Sequence, residues 1–254
     1  MQANILFRQK THTINLAQAI DVSIPLKEGL NTVNAFYAPL LRIEPVRAGD
    51  FVGDMQEGGL LNFKNVFFSP HGNGTHTECV GHISPSGYTI NACLKQFFFF
   101  AQLVSIYPQR LENGDRMITK AQIEEVWNKK QQAPALIIRT LPNDDWKFQT
   151  NYSGANPPYL HESAIQFIVE QNIKHLLLDL PSVDREQDDG QLLGHKAFWQ
   201  YPSDKVRLDA TITEFVYVPN EVKDDFYFLN LQIASFELDV SPSKPVLYRI
   251  EKQE

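Results

Sequence analysis

The chain has 254 residues, of which 43% are hydrophobic and 21% are charged, a balance typical of an ordinary soluble globular protein. Its formal net charge is −7 and it has no basic run, which excludes the positive footprint of a nucleic-acid-binding protein. No apolar run approaches the ~20 residues of a membrane span, and the N-terminus lacks the apolar core of a secretory signal, so we expect a cytoplasmic protein without membrane or nucleic-acid partners.

The length predicts a single domain over residues 1–254, and a domain of this size can bury roughly three quarters of the surface of its unfolded chain. The only two cysteines, Cys79 and Cys93, are too few for a disulfide framework and fit a reducing compartment. A substantial apolar core is therefore expected to form without covalent cross-links.

In chain order, the first quarter of the sequence predicts little regular structure. Residues 21–26 predict a short strand that Pro25 ends, and residues 27–65 are irregular, with scattered prolines and glycines. A loop-rich segment of this length inside a compact domain is usually functional. Residues 65–69 then predict a strand that leads into a histidine-rich segment.

The rest of the chain alternates helices with strongly apolar strands. Thr119 and Gln122 have the spacing of a capping box, which predicts a helix over 119–131. The other predicted elements are a short helix at 89–96, a longer helix at 161–172, and strands at 97–107, 135–140, 175–180, 209–218, 226–233 and 245–250. This alternation predicts the α/β class with some parallel strand pairing.

The histidine-rich segment, residues 69–82, holds three of the seven histidines of the chain together with one carboxylate and three glycines. If residues 76–82 are extended, then His76, Glu78 and His82 point to the same face of a strand. A helix would scatter them, because at about 100° per residue His76 and Glu78 would lie on nearly opposite sides. The strand interpretation is therefore the one that forms a site.

Two glycines in this segment favour a tight loop before the strand. Gly72 and Gly74 would let that loop return His71 towards the other three side chains. Three imidazoles and a carboxylate form a set that suits zinc, manganese or iron. Cys79 lies at an odd position and should face away as a packed thiol. By spacing alone, a histidine-containing polar loop without a metal remains the alternative.

The strand predicted at 209–218 carries one unexpected charge. Its even positions are Ala210, Ile212, Glu214, Val216 and Val218, so that Glu214 is the only charge on an otherwise apolar face. A buried carboxylate without a partner costs several kcal/mol or stays protonated. We therefore expect an arginine or a metal to neutralise Glu214.

Taken together, these segments resemble the cyclase-like metal hydrolases, a family that includes bacterial kynurenine formamidase and isatin hydrolase. The family signature has the form His-x-Gly-Thr-His-x-Asp-x-Pro-x-His, and residues 74–76 match its centre. The other matches occur along the chain in the same order as in the family. They comprise residues 21–26, Glu78, His82, residues 178–184, His195 and Glu214.

Three departures from the signature concern the site. His71 lies one residue further from the second histidine than in the family, and Gly72 occupies the expected position. Glu78 replaces the aspartate, which lengthens the carboxylate arm by one methylene. Val80 and Gly81 stand where the family has proline and its neighbour, which should loosen the turn before His82.

The resemblance implies a site with two divalent metal ions, zinc or alternatively manganese. One would be bound by His71, His76 and Glu78. The other would be bound with the help of Glu78, His195 and Glu214. The resemblance also implies that His82 donates and accepts the proton during catalysis. Metal-binding imidazoles need partners that orient them, and Asp179 and Asp184 are the candidates, although aspartates at strand ends are more often turn caps.

The resemblance further implies an α/β domain with a mixed or barrel-like sheet, flanking helices and assembly into homodimers or homotetramers. Tyr37 or Phe36 is the nearest counterpart of an aromatic side chain that contacts the substrate. The expected activity is hydrolysis of an amide-type C–N bond in a small molecule, a formamide or a cyclic amide, by metal-activated water.

Three alternatives differ from this function in reaction or class. The same site could hydrolyse a lactone or an ester. The departures at His71 and Glu78 are compatible with a non-catalytic protein that binds a metal or another ligand. A purely structural zinc site is disfavoured, because such sites are usually rich in cysteine and fully closed.

Overall fold

The computed structural model describes residues 1–251. Its helices are α1 (Pro70–Asn73), α2 (Ile90–Cys93), α3 (Lys120–Val126), α4 (Glu162–Glu170) and α5 (Leu193–Trp199). Its strands are β1 (Gln2–Phe7), β2 (Lys10–Asn15), β3 (Ile20–Asp21), β4 (Arg42–Pro45), β5 (Arg47–Ala48), β6 (Phe51–Val52), β7 (Lys64–Phe67), β8 (His76–Glu78), β9 (Phe98–Ile106), β10 (Gln109–Arg110), β11 (Arg116–Ile118), β12 (Ala135–Thr140), β13 (Tyr159–Leu160), β14 (His175–Leu178), β15 (Thr211–Glu214), β16 (Phe226–Ile233) and β17 (Val240–Arg249).

Seven of these strands close into a barrel. Their order is β16-β9-β12-β14-β15-β8-β17, and pairing of β16 with β17 joins the two ends. Strands β9, β12, β14 and β15 run parallel to one another, whereas β8, β16 and β17 pair antiparallel to their neighbours. The predicted α/β fold with a mixed, barrel-like sheet is thus confirmed.

Alternate residues of the strands pack into two separate apolar layers. On β9, Leu103 faces the barrel interior with Ile137 and Leu177, whereas Val104 faces outward. The outer layer joins the strands to α3, α4 and α5, which cover one side of the barrel. A strand buried on both faces reads as a continuous apolar run, which explains why residues 97–107 could be recognised from sequence.

The capping box of α3 is present, because the side chains of Thr119 and Gln122 each bond the backbone of the other. The helix ends at Val126, earlier than predicted, and Trp127 is its C-cap. The strand predicted at 21–26 is also wrong beyond Asp21, since only Ile20–Asp21 pairs with β17 and a single bridge links Ser23 to Val216.

The strand predicted at 209–218 ends at Glu214, and Phe215 explains why. Its φ of 55° lies in the left-handed region, which a bulky aromatic residue rarely adopts. Up to that point Ile212 faces the outer layer, but beyond it Val216 packs in the barrel interior. The predicted shared face of the even positions therefore fails after Glu214.

The two cysteines are free, and Cys79 is fully buried in the interior layer as a packed thiol. Its position agrees with the alternation predicted for β8. Among residues 1–251, none of the helices combines the length and the apolar character needed to cross a membrane.

Candidate metal centre

Strand β8 is the centre of the candidate site, and it lies between β15 and β17. His76 is opposite Glu214 of β15, and Glu78 is opposite Ile212, which faces the outer layer. Directly opposed residues on neighbouring strands share a face. His76, Glu78 and Glu214 therefore point together to the outside of the barrel, the side covered by α5.

The odd-numbered residues of β8 and β15, Thr77 and Thr213, face away from the site. The hydroxyl groups of Thr77 and Thr213 bond each other at 2.8 Å, and both side chains are fully buried. This odd-numbered pair keeps the two strands in register beneath the site. The strand prediction for His76 and Glu78 thus places both side chains as expected.

His76 presents a buried nitrogen without a hydrogen-bond partner. Its Nδ1 lies 2.9 Å from the Gly74 carbonyl oxygen and donates to it, which leaves Nε2 as the lone-pair nitrogen of the neutral ring. Nε2 makes no hydrogen bond although Glu214 Oε2 lies 3.3 Å away. A lone pair facing a carboxylate requires a cation or a proton between them, and a metal ion held by both side chains would supply that cation.

Glu214 receives one backbone hydrogen bond, from Val183 N to Oε1 at 3.1 Å. Its partners are therefore an imidazole and an amide, not the arginine considered from sequence. The remaining oxygen, Oε2, faces His76 Nε2 and the interior of the cluster. We call His76, Glu78 and Glu214 the inner group; one donor atom from each lies within 4.8 Å of the others.

His195 enters the cluster from α5, a helix that the sequence analysis did not assign. Its Nε2 lies 3.2 Å from Glu78 Oε1, and its Nδ1 lies 2.5 Å from Asp184 Oδ2. Asp184 also accepts hydrogen bonds from the backbone N–H groups of Gly194 and His195. A Cβ at Gly194 would lie 2.8 Å from Asp184 Oδ1, so a larger residue here would displace the Asp184 carboxylate from this position. Asp184 thus fixes the ring of His195 with Nε2 towards the cluster.

An Asp184→Asn variant should bind metal about 10–100-fold more weakly, because partners that orient a metal-binding histidine contribute roughly that much. Asparagine keeps the size of the side chain but presents an amide that cannot match all three N–H donors. Metal titration of the purified variant, with circular dichroism as a check of folding, measures the effect. Wild-type affinity in a folded variant would contradict the orienting role.

His71 reaches the cluster from a one-turn helix, where the sequence predicted a tight loop. Ser69 and Pro70 start α1 as its N-cap and first residue. A Cβ at Gly72 would lie 2.4 Å from the Ala38 Cβ, so a side chain has no room where the family has its first histidine. His71 is therefore the histidine that α1 supplies to the cluster, and its Nε2 lies 3.6 Å from Glu78 Oε2.

His82 does not lie on the strand, which corrects the prediction for residues 76–82. The chain leaves β8 after Glu78 and forms a 3-10 helix over Val80–Ile83. This turn nevertheless returns His82 Nδ1 to 3.7 Å from Glu78 Oε2. Gly81 does not loosen the turn: a Cβ there would lie 2.0 Å from the Tyr88 carbonyl oxygen, so glycine permits tight packing.

Asp239 is the site residue that the sequence analysis missed. It precedes β17, and its Oδ2 lies 3.0 Å from His71 Nε2 and 3.4 Å from His82 Nδ1. Nothing in its immediate sequence distinguishes it from other loop aspartates. Only the pairing of β17 with β8 brings it to the cluster.

The electrostatics of the cluster are those of a cation site. Burial lowers the pKa of His195, but its contacts with Asp184 and Glu78 outweigh burial and raise that pKa to about 10. His76 and His82 follow the same pattern, with burial opposed by Glu214 and Glu78 respectively and a net rise in pKa. Burial and the charge of Glu78 both raise the pKa of Glu214. The carboxylates of Glu78, Asp184 and Glu214 thus stabilise positive charge within the cluster.

Three predicted residues lie apart from the cluster. Phe36 and Tyr37 are exposed in consecutive left-handed conformations on the loop beside α1, and the described contacts do not join them to the histidines. Their role as substrate contacts stays a prediction. Asp179 accepts hydrogen bonds from Lys147 Nζ at 2.7 Å and from Thr140 N at 2.8 Å, so it does not orient a cluster histidine.

The donor atoms form three overlapping groups that could each hold an ion. One is the inner group, the second comprises Glu78, His82 and His195, and the third comprises His71, His82 and Asp239. All donors are imidazoles or carboxylates, which suits zinc or manganese. A separate apolar cavity of about 870 Å³, lined in part by Phe98, His175 and Asp209, lies at the amino ends of the parallel strands, away from this cluster.

Comparison with known proteins agrees with this architecture. The Cyclase family model, described as "Putative cyclase", matches residues 20–185. A sequence search against curated proteins gives no significant match.

Several solved structures are similar in fold. Isatin hydrolase A from Labrenzia aggregata, bound to benzyl benzoate, is 16% identical with a TM-score of 0.68, over 92% of this chain and 94% of that chain. A predicted metal-dependent hydrolase from Bacillus stearothermophilus is 16% identical with a TM-score of 0.63, over 91% and 98%. An isatin hydrolase bound to the product analogue thioisatinate is 13% identical with a TM-score of 0.63, over 92% and 93%.

Proposed function

Since this chain belongs to the Cyclase family, we propose that it is a metal-dependent hydrolase that cleaves an amide-type C–N bond in a small molecule, a formamide or a cyclic amide. The observation that carries the proposal is His76 Nε2, a buried lone-pair nitrogen without a hydrogen bond that faces the carboxylate of Glu214. Neighbours in fold that are named as hydrolases, including isatin hydrolases, support the reaction class.

The inner group would hold the metal, with His195 beside it. Its imidazole and carboxylate donors fit zinc first and manganese second. When bound, such a cation lowers the pKa of water to about 7 and polarises the substrate carbonyl. Because Glu78 and Glu214 are almost fully buried, their charges act with little screening by water.

His82 is the residue that we assign to proton transfer. Its side chain is 30% exposed, the most open of the cluster histidines together with His71, so that it can meet both substrate and solvent. Its Nδ1 is turned towards Glu78 and Asp239, which leaves Nε2 to take a proton and to return it to the leaving nitrogen. The Asp184 carboxylate holds His195 still during this exchange.

The test is a matched substrate panel on protein purified without chelator. We expect turnover of an N-aryl formamide or a lactam, loss of activity on chelation and recovery with Zn²⁺ or Mn²⁺. The aryl formate and the lactone of the same carbon skeletons provide the comparison. Turnover of the esters with no turnover of the matched amides would instead assign a lactone or ester hydrolase, because esters are intrinsically more reactive than amides. Undiminished activity after complete metal removal would overturn the proposal.

A further inference from the structure

The cavity at the amino ends of the parallel strands lies at the opposite end of the sheet from Glu214, with which β15 ends. Its volume of about 870 Å³ falls within the range of about 300–1,000 Å³ that is usual for small-molecule sites. The side chains of its walls are mainly aliphatic or aromatic and come from β1, β9 and β16: Ile5, Leu6, Phe7, Phe98, Phe100 and Phe228. Phe7 stacks on Phe100 with ring centroids 4.3 Å apart, and Phe98 stacks on Phe228 at 5.6 Å. The walls therefore present flat aromatic surface.

His175 adds a polar atom to this apolar space. The side chain lines the cavity although only 4% of the residue is exposed. Its Nδ1 lies 2.9 Å from the Thr211 hydroxyl oxygen, and its Nε2 has no hydrogen-bond partner within residues 1–251. Burial lowers the pKa of His175 to about 3, so the ring is neutral at pH 7. When the Thr211 hydroxyl donates to Nδ1, Nε2 carries the proton and can donate it to a ligand.

The charged side chains of the cavity leave one positive charge without a counterpart. Lys174 pairs with Asp209, and both side chains are more than half exposed. Lys95 Nζ donates to the Asn91 carbonyl oxygen at 2.6 Å but forms no ion pair with any residue of the described chain. Two lysines and one aspartate give the lining a net charge of +1, although the whole chain carries −7. This local excess of positive charge favours an anionic group.

We propose that this cavity binds a small aromatic molecule that carries one anionic group, such as a carboxylate or a sulfonate. Its rings would pack between the phenylalanines of the walls, its anionic group would meet Lys95, and His175 Nε2 would donate to one of its oxygen atoms. A flat molecule is favoured over a flexible alkyl chain, because ring stacking adds to the gain from buried area. The cavity shares no residue with the metal cluster, so the proposal does not depend on the proposed hydrolysis.

The probe for the anionic group is 1-anilinonaphthalene-8-sulfonate, with N-phenyl-1-naphthylamine as the counterpart that has the same rings without the sulfonate. Fluorescence titration into the full-length protein should show saturable binding of one equivalent. Lys95→Gln should weaken binding of the sulfonate about three- to fivefold and leave binding of the uncharged probe unchanged. Lys205→Gln, the same change on an exposed lysine outside the cavity, is the matched control and should alter neither.

Phe98→Ser tests the aromatic wall. Phe98 is 57% exposed, so the variant should fold, and the loss of its ring should weaken both probes about tenfold. Phe51→Ser makes the same change on an exposed phenylalanine outside the cavity and should bind both probes as wild type does. Circular dichroism checks the folding of each variant.

Cys93 can report where the probe binds. It lines the cavity and is partly exposed, whereas Cys79 is fully buried. Iodoacetamide should therefore alkylate Cys93 first, and saturating probe should slow that reaction. Peptide mass spectrometry measures the rate at each cysteine.

Three results would overturn the proposal: no saturable binding, an alkylation rate of Cys93 that saturating probe leaves unchanged, or wild-type affinity for the sulfonate in Lys95→Gln. A second copy of the chain is the other occupant that suits an apolar surface. Light scattering that shows a wild-type dimer and a monomeric Phe98→Ser would overturn the ligand site and assign this face to self-association. None of these results changes the expected metal content or turnover, so the proposed function is tested separately.

Discussion

A His76→Ala variant is expected to lose the metal of the inner group and, with it, essentially all hydrolysis. The substitution removes the only imidazole of that group and leaves Glu78 and Glu214 with no neutral ligand between them. A bound cation contributes several kcal/mol to transition-state stabilisation, and each 1.36 kcal/mol is tenfold in rate. We therefore expect activity to fall by at least about 1,000-fold, together with a lower metal content.

His161→Asn is the matched control for this variant. His161 is exposed at the start of α4, outside the cluster, and asparagine is among the best N-cap residues, so the helix should keep its cap. Metal content and turnover should equal those of wild type. Full turnover by metal-free His76→Ala would refute the assignment of the inner group and the proposed mechanism together.

Lys147→Met should destabilise the fold by about 3–5 kcal/mol, the cost of breaking a buried ion pair by removing one partner. Lys147 Nζ lies 2.7 Å from Asp179 Oδ2, and both side chains are almost fully buried. The same Nζ donates to Thr140 and Asn143, so the substitution leaves several polar atoms without a partner. Urea unfolding followed by tryptophan fluorescence measures the loss.

The matched control for that substitution is Lys174→Met. Lys174 pairs with Asp209 on the surface, where the side chains are 51% and 63% exposed. Exposed pairs contribute about 0–1 kcal/mol, so this variant should remain close to wild type. Equal effects of the two variants would show that burial of the Lys147 pair does not matter to stability.

Local patterns were enough to predict much of the fold and half of the site. The even spacing of His76 and Glu78 indicated a shared strand face, and that face exists because β8 is a regular strand. Glu214 was recognisable because a lone charge on an apolar strand demands a partner. The capping box at Thr119 and the apolar strand at 97–107 are equally local signals, and both are present.

What sequence could not supply depends on pairing between distant segments. Asp239 reaches the site only because β17 closes the barrel beside β8. The reversal of faces after Glu214 depends on a left-handed Phe215, a conformation that propensity argues against. His82 reaches the cluster although it left the strand, because a 3-10 turn compensates for the lost alternation.

The donor atoms come from segments that are far apart in the chain: α1, β8, α5 and β15, and the residue before β17. A bound cation would therefore cross-link α5 to the barrel wall. Stabilisation by a bound ion grows with its concentration and reaches about 2.7 kcal/mol at 100 times the dissociation constant. Removing the metal should thus speed amide hydrogen exchange first in α5 and in the 3-10 turn of His82, while the amides of β9 and β12 stay protected. The exchange rate of the α5 amides would then measure how much of the protein has metal bound.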